Sequence, residues 1–191
     1  MPNCYAALDD ILTLTNLNHA PRDQVQISGT DPILASNFFI GTAGAAAIAA
    51  SGLAAANLWQ EKTGRRQNVS IDVRRAAMAM RSDRFLHRDG KNIYGWDPVS
   101  GIYQAKDGRW VQLHCNYQHH RDRTVTLLGA KPEKESVAAA IAKRDALEIE
   151  TAVTEADSIA GMVRTPEEWA AHPQSTSVEA LPLFEILKIG G

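Results

Sequence analysis

The sequence predicts a mixed α/β fold, in which a long Ala-rich central helix and a short strand precede a smaller α+β part with a β-hairpin. Three observations predict it. Residues 32–60 contain no charged side chain and are rich in alanine and glycine. Residues 69–73 alternate apolar and polar side chains, as a half-buried strand does. Residues 106–108 read Lys-Asp-Gly between two largely apolar segments, and Asp-Gly is a strong signal for a tight turn.

The composition limits the class of protein. The chain has 191 residues, of which 45% are hydrophobic, which is enough for one or two cores. A net charge of −2 gives no overall attraction to nucleic acid or to an anionic membrane. Two cysteines, Cys4 and Cys115, are too few for a disulfide framework, and the first residues lack the pattern of a signal peptide. The expected location is therefore the cytoplasm.

The first half of the chain predicts two helices before the strand. Residues 3–17 place apolar side chains on one helical face, with Asn3 as a typical N-cap. The central helix is predicted to begin near Pro32, since proline is tolerated in a first helical turn, and to end at Gly64. The strand follows at residues 69–73.

The uncharged segment of the central helix raises the question of a membrane span. Its length exceeds the roughly 20 residues that cross a bilayer. However, alanine gains little from lipid, and serine, threonine and asparagine interrupt the segment. A buried helix of a soluble protein is the favoured interpretation, and a membrane span is the weaker alternative.

The second half predicts a hairpin among helices. In order, the sequence indicates a helix (74–87), a glycine-containing loop (88–101), the hairpin (102–105 with 109–114), a helix ending at Gly129 (117–128) and two or three helices (133–171). The last helix begins with a capping box at Thr165. We predict a large-domain part at 1–87, a small domain at 88–174, and an apolar segment at 175–191 that packs back or leads to further sequence.

Three blocks of the chain resemble one known family. Residues 61–73 read Glu-Lys-Thr-Gly-Arg-Arg-Gln-Asn-Val-Ser-Ile-Asp-Val, and residues 103–113 read Tyr-Gln-Ala-Lys-Asp-Gly-Arg-Trp-Val-Gln-Leu, followed by Leu-Leu-Gly at 127–129. Residues 165–169 read Thr-Pro-Glu-Glu-Trp. In this order the blocks resemble the family III CoA transferases, the CaiB/BaiF group of carnitine dehydratase, bile-acid-inducible protein F and formyl-CoA transferase. The chain resembles only part of that fold, without its Rossmann-like opening.

The resemblance implies coenzyme A or acyl-CoA as a substrate, with no cofactor bound permanently. Family members use an Asp about twenty residues before the Lys-Thr-Gly turn, and its carboxylate attacks the acyl-CoA carbonyl. In this chain Thr42 lies near that place, and the nearest upstream acid, Asp31, is eleven residues away. Threonine cannot form the mixed anhydride of the family mechanism. The catalytic residue is therefore unknown, and the chain alone is expected to be inactive.

Two functions remain open. The first is CoA transfer between an acyl-CoA and a carboxylic acid, or racemase-type chemistry on a 2-methylacyl-CoA, with an Asp supplied by another segment or chain. The second is a non-catalytic structural or assembly half of the same fold. Because family members form interlocked dimers, we expect a homodimer or association with a complementary half, and neither nucleic acid nor membrane as a partner.

Two regions are candidate binding sites. The loop Tyr94, Gly95, Trp96 and Asp97 stands where the family has a glycine-rich loop over its active site, and an ordinary surface loop is the alternative. The side chains Arg74, Arg81 and Arg88 would share one stripe of a continuous helix and could bind the phosphates of CoA. A solvated face, or pairing with the acidic residues of 133–185, is the alternative.

The histidines near the hairpin invite a metal interpretation that their spacing does not support. His114 and Cys115 are adjacent on a strand, so their side chains point to opposite faces. His119 and His120 complete no zinc-binding pattern with them. We therefore expect no metal site.

Overall fold

The computed structural model describes residues 3–17, 22–93 and 95–190, which form two compact units. Their mixed helices and strands confirm the predicted α/β fold class. The first unit comprises Met1–Tyr94 and Leu181–Gly191, and the second comprises Gly95–Ala180. The sequence predicted three parts, at 1–87, 88–174 and 175–191. In the structure, the segment at the C-terminus is grouped with the first unit from residue 181 onward.

Within its described residues, the first unit contains three α-helices, two short 3-10 helices (Arg22–Gln24 and Ser82–Phe85) and two pairs of strands. In chain order the α-helices and strands are α1 (Cys4–Leu14), β1 (Val25–Ser28), α2 (Ile40–Thr63), β2 (Val69–Asp72), α3 (Val73–Ala79), β3 (His87–Arg88) and β4 (Lys91–Asn92). The strands β1 and β2 pair in parallel, with Val25 opposite Val69 and Ile27 opposite Ile71. The strands β3 and β4 form a small antiparallel pair.

The core of the first unit lies between the β1–β2 pair and the helices. Leu8 of α1 and Leu53 of α2 are fully buried in it, beside the apolar face of the two strands. Most of the other buried residues of α2 are alanine or glycine, which allows the neighbouring backbones to approach closely. The opposite face of the pair carries polar side chains, and Gln26, Ser28 and Ser70 are exposed there.

Two helix boundaries differ from the prediction. The helix α2 begins at Ile40 rather than near Pro32. The carboxylate of Asp31 accepts hydrogen bonds from the amides of Ile33 and Thr42, and these bonds hold the residues between them as a loop. The helix α3 ends at Ala79 rather than at residue 87. Residues 80–88 bury no side chain, so no packed apolar face extends the helix.

Several local signals are confirmed. The side chain of Asn3 accepts hydrogen bonds from two amides in the first turn of α1. Gly64 and Gly129 adopt left-handed conformations, with φ of 70° and 61°, at the ends of α2 and of the helix after the hairpin. The capping box at Thr165 forms with Glu168. Each signal depends only on residues close together in the sequence.

The second unit packs helices against a three-stranded antiparallel sheet. Its elements are β5 (Gly101–Gln104), β6 (Trp110–Leu113), α4 (Gln118–Leu128), α5 (Lys134–Ile141), α6 (Ala146–Glu155), β7 (Ala160–Met162), α7 (Pro166–Ala170) and α8 (Pro173–Glu179). The predicted hairpin is confirmed as β5–β6, and β7 pairs with the other side of β6. The sequence did not predict β7. Val111, Leu113, Val137 and Ile149 are fully buried in the core.

Among the described helices, α2 is the one long and apolar enough to cross a membrane. Half of its most apolar stretch is buried inside the protein. Its buried residues Ala45, Ala49 and Leu53 contact the core of the first unit, which fits the favoured interpretation of a core helix.

Candidate functional site

The start of α2 is built around the carboxylate of Asp31. One oxygen accepts a hydrogen bond from the amide of Thr42 at 2.6 Å, and the other accepts from the amide of Ile33 at 3.0 Å. The residue is only 5% exposed. A Cβ atom on Gly41 would lie 2.6 Å from the Oδ1 atom of Asp31 and 2.9 Å from a methyl group of Val73. A glycine is therefore required beside this carboxylate.

The surroundings of Asp31 favour its ionised form. Burial by itself would raise the pKa of this carboxyl, but hydrogen bonds from Thr42, Ile33 and Gly41 outweigh that effect and lower the pKa below its ordinary value. The positive end of the α2 dipole also stabilises a negative charge here. Asp31 is therefore a carboxylate at neutral pH that caps the first turn of α2 from outside the helix, since the N-cap residue itself, Phe39, contributes no side-chain hydrogen bond.

The structure brings together two residues that the sequence separates. Thr42 is buried in the first turn of α2, and Asp31, eleven residues earlier, lies in direct contact with it. Local capping signals span about three residues, so no local pattern relates the two. The catalytic residue of this chain remains unassigned.

The predicted substrate loop lies at the start of the second unit. Tyr94 falls outside the described residues. Gly95 and Trp96 are exposed, with Trp96 at 48%, whereas Asp97 is half-buried. The indole ring of Trp96 meets the imidazole of His114 edge to face, with centroids 5.7 Å apart. The loop therefore presents an aromatic side chain that rests on the end of β6.

Asp97 fixes this loop to the residues that follow β6. Its amide donates to the side-chain oxygen of Asn116 at 3.0 Å, and its carboxylate accepts from the amide of Val99 at 2.9 Å. The other carboxylate oxygen forms an ion pair with Arg121 of α4 at 3.4 Å. Asn116 also accepts from the hydroxyl of Ser100. These contacts fix the backbone of the loop at Asp97, next to Trp96.

Two imidazole rings and a phenol ring cluster at the start of α4. The rings of His119 and His120 are 4.1 Å apart, and Tyr117 contacts both at 5.7–5.8 Å. Burial lowers the pKa of His120, and the neighbouring His119, Arg123 and His114 lower it further. In the described part of the chain, no three histidine, cysteine, aspartate or glutamate side chains are arranged to hold a metal ion.

The histidine cluster predicts a pH-dependent stability. His120 binds its proton less tightly in the folded chain than in the unfolded chain, so acid favours unfolding. We expect the free energy of unfolding to fall as the pH drops below the ordinary histidine value of about 6.5. His120→Gln should reduce this fall in urea unfolding at pH 7.5 and 5.5. The exposed His87→Gln serves as the control, and equal pH dependence of all three proteins would contradict the assignment.

The predicted phosphate stripe does not form. Arg74 lies on α3, Arg81 follows its end, and Arg88 is on β3. All three side chains are exposed. The correction follows from the early end of α3, since only a continuous helix would align the three guanidinium groups. Contact of these three arginines with CoA phosphates stays a prediction, although they do not share the helix face on which it was based.

Comparison with solved structures identifies the fold. Rv3272 from Mycobacterium tuberculosis, in its orthorhombic form, superimposes with a TM-score of 0.61 at 15% identity, covering 89% of this chain and 51% of that protein. A point mutant of Rv3272 gives 0.62 at 14% identity, covering 89% and 50%. A CAIB/BAIF family protein from Brucella suis gives 0.55 at 11% identity, covering 86% and 50%. This chain therefore spans about half the length of these proteins.

Comparison with curated proteins gives no significant match. The sequence model of CoA-transferase family III, in contrast, matches residues 24–182. That match includes the Asp31–Thr42 contact, the Thr-Gly turn, the Trp96 loop and the hairpin. Because it covers most of the chain, the protein belongs to family III of the CoA-transferases.

Proposed function

We propose that this chain takes part in acyl-CoA chemistry of the family III type, the transfer of CoA between an acyl-CoA and a carboxylic acid. The observation that carries the proposal is the family match over residues 24–182. Coenzyme A enters as a substrate and is not held permanently. Racemase-type proton transfer on a 2-methylacyl-CoA is the other chemistry that the resemblance implies, and it needs a carboxylate at the same place.

We further propose that the reacting carboxylate comes from another segment or chain. A nucleophilic carboxylate must expose a lone pair to the acyl carbon. Both oxygens of Asp31 accept backbone hydrogen bonds, and the side chain is almost fully buried. Thr42 has no carboxyl group to offer. The capping role of Asp31 therefore supports the proposal that this chain cannot complete the reaction alone.

The Trp96 loop is our candidate for contact with the acyl-CoA. Its aromatic side chain is exposed, yet Asp97 anchors the loop through Asn116 and Arg121, so little conformational entropy would be lost on binding. An indole face can stack on an adenine base or cover an acyl group.

A non-catalytic structural half of a CoA-transferase is the second candidate. The hydrogen bond from the start of α2 to Asp31 favours this second candidate as well, because the chain keeps the fold but has no free carboxylate at this place. Both functions imply association, with a second copy or with a complementary half, and a cytoplasmic location. CoA transfer by the assembled complex separates them: its presence supports the first function and its absence the second.

The first experiment is calorimetric titration of the full chain with CoA and with acetyl-CoA. We expect saturable binding with a Kd below about 1 mM, equivalent to roughly −4 kcal/mol. Trp96→Ala should weaken binding about tenfold, the loss of one aromatic contact. Trp169→Ala, a similarly exposed tryptophan at 44%, is the matched control and should bind as the wild type. Absence of binding heat with both CoA and acetyl-CoA would contradict a CoA site in this chain.

A further inference from the structure

The first turn of α4 carries two histidines and no acidic side chain. Its residues are Gln118, His119 and His120, and Arg121 follows them. The N-cap residue, Tyr117, contributes no side-chain hydrogen bond to the turn. A positive charge near the N-terminus of a helix is unfavourable, because the helix dipole is already positive at that end. Protonation of a histidine in this turn therefore weakens it.

The surroundings of His120 oppose its protonation. The Nδ1 atom of its ring is buried and has no hydrogen-bond partner among the described residues. The imidazolium form carries a donor on both ring nitrogens, so protonation would leave a buried N–H group without an acceptor. Burial lowers the pKa of His120 below its ordinary value, and repulsion from His119, Arg123 and His114 lowers it further.

The elements around His120 do not offset these effects. Their charged and titratable groups are His114 after β6, Asp97 of the Trp96 loop, His119, Arg121, Asp122 and Arg123 of α4, and Asp157 of the turn before β7. The acids of the loop and of α4 are both paired with Arg121. Asp157 is exposed and meets Arg123 through its backbone oxygen. Ser158 of the same turn donates to the backbone carbonyl of His120 rather than to its ring. The neutral ring is therefore the favoured form.

Arg121 connects this turn to the Trp96 loop. Its guanidinium lies 3.0 Å from the carboxylate of Asp122 and 3.4 Å from that of Asp97, so the contact with the loop is the longer of the two. The amide of Arg121 donates to the carbonyl of Tyr117 at 3.1 Å and so closes the first turn. Opening of the turn separates Arg121 from Asp97, whereas Asp122 moves with it because the two are adjacent in the sequence.

We propose that the first turn of α4 is an acid-sensitive switch for the Trp96 loop. When the ring of His120 takes up a proton from solvent, the turn opens and Arg121 parts from Asp97. The backbone of the loop at Asp97 then becomes mobile. At neutral pH the ring is uncharged, the turn is closed and the loop is held. The switch goes beyond the proposed function, since no ligand takes part in it and it operates whether or not the loop contacts an acyl-CoA.

Amide hydrogen exchange, followed residue by residue by NMR on the full chain, tests the switch. The probes are the amide of Arg121 and the amide of Val99, which donates to the carboxylate of Asp97. After correction for the pH dependence of chemical exchange, opening at both should rise at least about threefold from pH 7.5 to pH 5.5. The amide of Ala105, bonded within the hairpin, reports on global unfolding. At pH 5.5 it should open at least about tenfold less often than the two probes.

Three variants assign the switch to its residues. His120→Gln cannot take up a proton and should remove the rise at Val99, whereas His87→Gln, at an exposed histidine on β3, should leave it unchanged. Arg121→Ala breaks the connection itself, so Val99 should open at pH 7.5 as often as it does in the wild type at pH 5.5. Circular dichroism establishes that each variant is folded.

Four results would overturn the switch. They are no rise in the wild type, equal opening at all three amides, a rise that persists in His120→Gln, and a Val99 amide that Arg121→Ala leaves unchanged. Arg121→Ala retains the histidine and therefore decides the proposal even if His120→Gln does not fold. The calorimetric titration with CoA is a separate measurement, so its failure would contradict the proposed function and leave the switch standing.

Discussion

Asp31→Ala is expected to lower the free energy of unfolding of this chain by about 3 kcal/mol, a large effect for one side chain. The substitution leaves the amides of Thr42 and Ile33 without their acceptor, at the start of a 24-residue helix. It also removes a negative charge from the positive end of the helix dipole. Urea unfolding followed by circular dichroism at pH 7 measures the change.

Two further variants refine this result. Asp31→Asn keeps one acceptor oxygen, so we expect about half of the loss. Asp10→Ala, at an exposed aspartate on α1, should change the free energy of unfolding by less than about 0.5 kcal/mol. An Asp31→Ala protein as stable as the wild type would show that the carboxylate does not hold the helix start.

The same carboxylate gives the wild type an acid-sensitive component of stability. The folded pKa of Asp31 lies below its ordinary value of 3.8. Its contribution is therefore fully present above that ordinary value and is lost as the pH falls through the lower folded pKa. The Asp31→Ala protein lacks this component, so the difference between the two proteins should shrink in acid.

Gly41→Ala is expected to destabilise the chain by about 2 kcal/mol, the cost of overpacking at a fixed site. Helix propensity alone predicts the opposite sign, because alanine is favoured over glycine by about 1 kcal/mol in a helix. The added methyl group would lie 2.6 Å from the Asp31 carboxylate and 2.9 Å from Val73, and both neighbours are buried. Neither can move without losing contacts in the core. Thermal and urea unfolding measure the change.

Gly44→Ala is the matched control on the same helix. Its added methyl group would lie 2.8 Å from the Cγ atom of Met80 and 3.4 Å from the carbonyl oxygen of Ala76, so the half-exposed Met80 side chain must shift. We expect a change of less than about 1 kcal/mol, since the gain in helix propensity offsets the cost of that shift. If Gly41→Ala were as stable as Gly44→Ala, the close approach of Asp31 to α2 would be wrong.

Much of the fold could be predicted because its signals are local. The cap at Asn3, the glycine ends of α2 and α4, and the hairpin turn at Asp107 each involve residues within a few positions of one another. The end of α3 and the strand β7 could not be predicted in this way. Residues 80–88 have the spacing of a helix, but none of their side chains is buried against the rest of the unit. The strand β7 forms because the second edge of β6 is available to pair with it.

The candidate site was only partly accessible from the sequence. The resemblance indicated Trp96 and its loop, but the contacts that hold Asp97 come from Asn116 and Arg121, nineteen and twenty-four residues away. The contact of Asp31 with Thr42 is equally invisible, since it depends on a loop of irregular backbone at residues 32–39. Such pairings are set by packing rather than by periodicity.

The hydrogen bond between Asp31 and the first turn of α2 also limits which side chains position 42 can accept. An aspartate introduced at position 42 would stand next to the carboxylate of Asp31, at a place where both residues are almost fully buried. Two such groups repel, and one of them would hold a proton at neutral pH. A carboxylate therefore becomes compatible with position 42 only when Asp31 is also replaced, so we expect the two positions to change together.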